Sequence, residues 1–425
     1  MFCIAVNNLI SRVAKSEVSV SMSMIKLHHS QKSLIALLFS AIFFITACGK
    51  NESENSSSIQ SLKTIDMVEA YDNREEVPLS SFAKSIEYIP LETSDNSLLG
   101  GYPSFYLSND TIITVAFRQL YLFNREKGQF MKEIRNYGEG PEDYSSTKPL
   151  LPFDEDKSTF FISKKGNLTW ELNSAGKVIS EFSLPSDENY VMGFTQLQKD
   201  LFVGYNANPV CDQKNRLTVF NSKGETVKTF PNPQSCTHDM SRGFSFDFYE
   251  GAFFRDQGKV YFKEEFNDTL FHVTPDQLRP QLVFNSQTKG IPYEEKTKFV
   301  TADLKADYFV TRVVDVTEKN VFFRLTTQGQ TFNGIYSFET EETLLSDIGR
   351  TEMHGFINDL DNFLPFVPQY ATDNNQLVGY IEAQDVLAWF KENPEKSAQL
   401  PDHLKKLGDM KPDDNPVVMI VDLKD

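Results

Sequence analysis

Three glycines, Gly128, Gly176 and Gly224, stand 48 residues apart, and each sits in a short polar turn between two alternating apolar segments. The surrounding stretches "QLYLFNREKGQFMKEI" (119–134), "NLTWELNSAGKVISEF" (167–182) and "RLTVFNSKGETVKTF" (216–230) align on that glycine. A tight hairpin turn needs a positive φ, which glycine adopts without a steric penalty, so the spacing marks a repeated hairpin. Weaker copies follow in "DTLFHVTPDQLRPQLVF" (268–284) and "NGIYSFETEETLL" (333–345). A period of roughly 40–50 residues holding about four strands is that of a propeller blade. One blade alone leaves sheet faces bare, so neighbours must stack and the ring must close. A β-sandwich requires no such period.

Blades are expected near 103–145, 150–187, 193–233, 246–285 and 308–345, with a sixth over 355–425. The end strand "PVVMIVDL" (416–423) is expected to close the ring against an opening strand near Ile86–Leu91. The 36 Phe and 16 Tyr, against two Trp, favour strands. Two stretches break the pattern and read as helical, 292–309 and 383–410; in the second, Val386, Leu387 and Phe390 share a face. Such helices pack on the propeller flank or cover one mouth; the sharper reading is a partner-binding lid. The fold class expected is all-β, a six-bladed propeller over 81–425 with a few helical insertions.

Upstream, fourteen apolar or small residues, Leu34–Ala47, precede Cys48. That run is too short for a membrane-spanning helix, which needs roughly 20 residues. With Lys26 and Lys32 before it, it has the form of a signal-peptide core. "ITAC" resembles a bacterial lipobox, which implies that Cys48 carries acyl chains and becomes the mature N-terminus. The expected organisation is a signal peptide over 1–47, with translation starting at Met1, Met22 or Met24, then a lipidated N-terminus and flexible tether over 48–80. "GKNESEN" after the cysteine is similar to signals that send lipoproteins to the outer face of some Gram-negative cells; ordinary tether chemistry is the alternative.

The segments "SIEYIPLETSDNSLLG", "IRNYGEGPEDY", "FNDTLFHVTPDQLRP" and "DDNPVVMIVDLK" resemble, in the same order, those of a family of six-bladed β-propeller lipoproteins of Gram-negative bacteria. Its blade pattern is NHL- or TolB-like. The resemblance spans about residues 80 to 425 and departs at Glu142-Asp143, where the family pattern has Gly-Glu. It implies a shape, and propellers of this kind include both enzymes and binding scaffolds.

Little in the sequence names a reaction. No H-E-x-x-H or G-x-S-x-G occurs, and the four histidines beyond Cys48 (His238, His272, His354, His403) have no ligand spacing. "GEGP" lacks the phosphate-loop form, so Gly138 and Gly140 read as turn glycines. "FDEDKS" (153–158) and "INDLDN" (357–362) read as turns, lacking the glycine and terminal glutamate of a calcium loop. No metal site and no cofactor is expected. Cys211 and Cys236 are a disulfide candidate in an exported chain. Strands two and four of one blade end on the same ring face but lie roughly 9–10 Å apart, too far to bridge unless Pro231–Ser235 folds back. Both the bridge and two free thiols stay open. Thr111 and Thr269, in "DTI" and "DTL", resemble bacterial O-glycosylation acceptors.

With 42 basic and 59 acidic residues the net charge is −17, which argues against nucleic acid and favours cationic, neutral or glycan-like partners. The function expected is an exported, monomeric, outer-membrane-anchored binding or scaffold module facing the periplasm or the cell surface. Its partner would be a glycan, a peptide or an envelope protein. The alternative is a lyase or hydrolase using channel carboxylates, perhaps with a metal; converging acids and histidines would favour it, a mixed or apolar channel would favour binding.

Overall fold

The protein is described by a computed structural model over residues 62–424, except 102, 117, 135–136, 146–152, 156, 165, 187–190, 239–249, 300–304 and 349–352. Six antiparallel sheets form six blades in chain order. Blade one holds Ser104–Leu107, Thr111–Ala116, Gln119–Asn124 and Phe130–Glu133. Blade two holds Phe153–Asp154, Thr159–Ser163, Leu168–Asn173 and Val178–Ser183; blade three holds Val191–Gln198, Leu201–Asn206, Asn215–Asn221 and Thr226–Pro231. Blade four holds Gly251–Asp256, Lys259–Glu264, Thr269–Val273 and Leu278–Asn285, and blade five holds Val310–Val316, Asn320–Thr327, Gln330–Ser337 and Thr343–Leu345. Blade six is composite: Pro368–Thr372, Gln376–Ile381 and Val417–Leu423 are completed by Ala83–Pro90. The register runs from Ala83 opposite Leu423 to Pro90 opposite Val417, so the ring closes where the sequence placed the seam.

The 48-residue period is explained by the packing between blades. Gly128, Gly176 and Gly224 have φ of 64°, 70° and 78°. Each also lies against the blade before it. A Cβ at Gly128 would come within 2.1 Å of the Pro90 carbonyl oxygen, one at Gly176 within 2.9 Å of Ile134, and one at Gly224 within 2.9 Å of the Leu184 carbonyl oxygen. Turn geometry and close stacking therefore demand the same residue at the same place in each blade.

Each pair of neighbouring blades encloses its own apolar cluster. Blades one and two bury Ile113, Leu122, Phe160 and Trp170 together. Between blades two and three lie Phe161, Phe182, Phe194 and Phe202, with the Phe182 and Phe202 rings stacked at 4.5 Å. Blades six and one share Phe105, Phe123, Val378 and Val418. Because both faces of a blade are covered, its middle strands are buried without alternation, as in Thr111–Ala116.

Residues assigned above to a tether over 48–80 belong, from Leu62 onward, to the folded body. Lys63–Asp66 adds a fifth, parallel strand to blade four along Leu282–Asn285. The Asp66 carboxylate then accepts from the backbone N–H groups of Val68 and Glu69 and caps the helix Met67–Asp72. The chain passes blade five, bridging Glu75 to Ser346 and Pro78 to Ile357, before entering blade six. Ile65, Met67, Val77 and Leu79 are buried along this path, and that burial fixes a segment of otherwise polar composition.

Of the two helical stretches, 292–309 contains, among its described residues, the 3₁₀ turn Tyr293–Lys298 and an α-helical position at Lys305. The other opens with the α-helix Ala383–Glu392 and continues as short turns to Asp409. Val386 and Trp389 face inward, and with Leu400, Leu404 and Leu407 they pack on Val417 and Met419 of blade six. Phe390 and Leu387 are half-buried.

Candidate functional site

The first strands of successive blades pack around the axis. At the end where those strands finish, bonds cross the ring. The Asp373 backbone N–H of blade six donates to the Glu155 carboxylate of blade two at 2.6 Å, and the Gln257 N–H of blade four donates to Asp373 Oδ1 at 3.0 Å. Blades two, four and six are not neighbours, so these bonds span the axis and narrow that mouth. Acids gather there. Burial pushes the Asp256 carboxyl up to about 6, with Asp373 and Glu318 adding to the shift and Lys259 opposing it. Buried Asp315 is raised too, although the N–H groups of Ala371 and Val316 donate to it at 2.8 Å.

The opposite end is open. A cavity of about 710 Å³ lies among blades one, four, five and six, beneath the inter-blade connections and the start of the helix Ala383–Glu392. Its walls include Phe105, Tyr106, Phe254, Tyr370 and Tyr380. The Tyr106 and Tyr370 rings lie 5.6 Å apart, and those of Phe105 and Tyr380 lie 5.3 Å apart. The result is a cup built on rigid sheet, with aromatic sides.

Its charged groups are three cations, Lys263, Arg312 and Arg324, and three acids, Glu265, Glu382 and Asp385. Lys263 is buried; its Nζ donates to the carbonyl oxygens of Glu264 at 2.8 Å and Thr311 at 3.4 Å. Burial lowers its pKa to about 8, with Asp268, Glu265 and Glu264 pulling the other way, so it is charged at neutral pH. Arg324 Nε reaches Asn333 Oδ1 at 3.4 Å, and Nη2 donates to the Pro368 carbonyl oxygen. Burial, reinforced by Arg312, lowers Arg324 to about 10 without removing its charge. Arg312 Nε donates to Glu265 at 2.7 Å, and Lys305 pairs with the same carboxylate. Glu382, raised by burial and by Asp385, stands on the facing rim. Thr311 Oγ1 and Gln369 Oε1, on two of the wall residues, have no hydrogen-bond partner among the described residues, but both are enclosed and do not face the cavity.

Of the residues singled out by sequence, Cys211, Cys236, Thr111 and Thr269 do not line the cup. Cys48 falls outside the described residues. Cys211 and Cys236 are bonded, with Cα atoms 5.4 Å apart, tying the turn after the second strand of blade three to the segment after its fourth. Thr111 is only 3% exposed and its Oγ1 donates to Asp110 at 3.1 Å, so the folded strand leaves no room for a glycan there. Thr269 begins the third strand of blade four and is half-buried. His354 stacks on Phe332 at 4.5 Å, and His272 lies beside Tyr261. Among the described residues no three His, Cys, Asp or Glu side chains are placed to share a metal ion. In "GEGPED" the departure from the family pattern has a use: Asp143 accepts from the Gly140 N–H at 2.9 Å and knots the connection between blades one and two.

Sequence reading missed Lys263 and Arg324. The available signal was a single cation inside an apolar strand, "VYFKEE" and "VFFRLTT".

The fold is shared with solved structures. A Bacteroides fragilis protein named for its expected export superposes with a TM-score of 0.62 at 16% identity, covering 80% of this chain and 95% of that one. A DUF4221-family member from Bacteroides vulgatus gives 0.47 at 10% identity, over 83% and 99% of the two chains. Among the curated proteins nothing matches the sequence. A family model does, over residues 62–422.

Proposed function

Taking as premise that the chain belongs to the DUF4934 family, a domain of unknown function, we propose that it is an exported, lipid-anchored binding module whose open cup holds a small polar ligand. The observation that carries this is the one-ended cavity of about 710 Å³, whose aromatic wall also holds the side chains of Lys263 and Arg324. A concave, largely apolar and aromatic pocket with a few convergent polar groups is the usual form of a small-ligand site. In the cup, Glu265 is already shared by Arg312 and Lys305 and is not free to act as a base; the carboxylate reading would instead draw on the acids at the closed mouth, Asp256 and Asp315.

Export and anchoring rest on the Leu34–Ala47 run before Cys48 and on the likeness to a protein named for export. The experiment has two parts. Full-length protein expressed in a Gram-negative host should partition into detergent, while Cys48→Ser should stay in the aqueous phase; equal partitioning would remove the anchor. Thermal melts of the full-length protein in detergent against oligosaccharides, peptides and amino acids should give shifts that Gln369→Trp, which plugs the cup, abolishes. A ligand bound at 100 times its Kd adds about 2.7 kcal/mol. Shifts that persist in the plugged variant would place binding elsewhere.

A further inference from the structure

We infer that the cup holds a zwitterion, an α-amino acid with a large apolar side chain, its carboxylate on Arg324 and its ammonium on Glu382; this rests on the cup being the binding site. The six charged groups of the wall do not all cancel one another. Arg312 shares the Glu265 carboxylate with Lys305. Lys263 has Asp268, Glu265 and Glu264 about it. Arg324 has no carboxylate: among the described residues it bonds only to Asn333 Oδ1 and the Pro368 carbonyl oxygen. It also stands directly opposite Arg312 across the first two strands of blade five, a destabilising relation for like charges. Its Nη1 has no partner among the described residues and, unlike Thr311 Oγ1 and Gln369 Oε1, is not enclosed, so this nitrogen opens on the cup. A guanidinium so placed presents its fork to a carboxylate.

The acids Glu382 and Asp385 are left over in the same way. Glu382 immediately precedes the helix Ala383–Glu392, yet its side chain caps none of that helix's N–H groups and lines the cup instead. Asp385 lines it too, and among the described residues neither carboxylate has a cation or a donor. Burial and the charge of Asp385 both act against ionised Glu382, a cost that an entering cation offsets. An anion alone or a cation alone would leave one of these unmet charges as it stands. The two are also near each other. Tyr380 is close enough to Arg324 to favour its charge, and Glu382 follows two residues on along extended backbone, about 7 Å away. Charges carried on one carbon suit so short a step and leave the side chain for the rings of Phe105, Tyr106, Phe254 and Tyr370.

The test titrates the full-length protein in detergent, by calorimetry against a micelle blank, with phenylalanine, phenylpropionate and phenylethylamine. The second lacks the ammonium and the third lacks the carboxylate. Phenylalanine should bind at least about tenfold more tightly than either. In Arg324→Gln it should fall to the level of phenylethylamine, and in Glu382→Gln to that of phenylpropionate. Arg324→Lys should keep most of the preference; if Arg324→Gln misfolds, Glu382→Gln, at the rim and without bonds to lose, carries the test. Equal affinity for all three compounds, or a preference that neither variant changes, would overturn the inference and leave the cup reading intact. Phenylalanine binding that survives Gln369→Trp would overturn both by placing the site elsewhere. Absence of phenylalanine binding would overturn the assignment, and glycine betaine bound through Arg324 in its place would make the ligand a quaternary ammonium zwitterion.

Discussion

The amide of Asp373 donates to the carboxylate of Glu155 across the propeller axis, although 218 residues separate them. That bond, with the one from Gln257 to Asp373, makes the channel a cup rather than a tube.

Glu155→Ala should therefore loosen the closed end without touching the open one. The loss of a charge-assisted hydrogen bond to a backbone N–H costs about 1.5–3 kcal/mol. Hydrogen exchange should accelerate at Asp373 and Asn374 while ligand affinity stays unchanged. An unaltered exchange rate at Asp373 would mean the bond does not hold the mouth.

The acids at that end set a pH dependence whose sign is opposite to that of a salt-bridged carboxylate. Asp256 titrates near 6 in the fold, and an unfolded aspartate near 4. Between those values the folded protein binds a proton that the unfolded chain has released, so stability falls as pH rises through this window. Asp315, raised by its burial, acts in the same direction. The melting temperature should be higher at pH 5 than at pH 7.5. Asp256→Asn should add about 1 kcal/mol at pH 7.5 and flatten the profile; a profile as steep as the wild type's would count against Asp256.

Between blades three and four, Arg216 and Glu264 pair at 3.0 Å with side chains almost wholly buried. Tyr205 donates to the same carboxylate at 3.2 Å, and the neighbouring Glu250 pairs with Lys296 of the 3₁₀ turn. Removing one partner leaves an uncompensated buried charge. Arg216→Met should destabilise by about 3–5 kcal/mol in guanidinium unfolding, and adding Glu264→Gln should recover a large part of that. Strictly additive losses would show that the two are not coupled.

The Cys211–Cys236 bond closes a segment of 25 residues. Loop entropy for that length corresponds to about 3 kcal/mol. The double variant Cys211→Ser, Cys236→Ser should unfold earlier by that amount and ignore dithiothreitol, whereas the wild type under reductant should fall to the variant's level. No difference between oxidised and reduced wild type would contradict the bond.

The ring was legible because one residue type answers two constraints. Gly128 needs both a positive φ and the absence of a Cβ against Pro90, so blade stacking itself imprints the 48-residue period on the sequence. The seam was legible because "PVVMIVDL" is a buried strand that pairs with Gln376–Ile381 on one side and finds its second partner only at the start of the fold, in Ala83–Pro90. The strap over 62–82 was not, since Ile65, Met67, Val77 and Leu79 are too sparse to show a period and are buried by blades four to six rather than by one another. The cup was least legible. Lys263 and Arg324 are 61 residues apart on different blades, and only ring closure puts them on one wall. Net charge is silent on the cup for the same reason: −17 describes the chain, while the potential inside a cavity is set by the few groups that line it.

The seam in blade six also governs when the protein can exist as a ring at all. Ala83 meets Leu423, so the outer strand of blade six must wait, unpaired, until Val417–Leu423 has been made. Contacts this remote in sequence are slow to form and arrive together. Until then five blades are an open arc with two bare ends, and the cup, whose wall needs blades one and six side by side, has no floor and no sides. Deleting Val417–Leu423 would thus undo the cup, part of whose wall blade six supplies, as surely as it removes the strand.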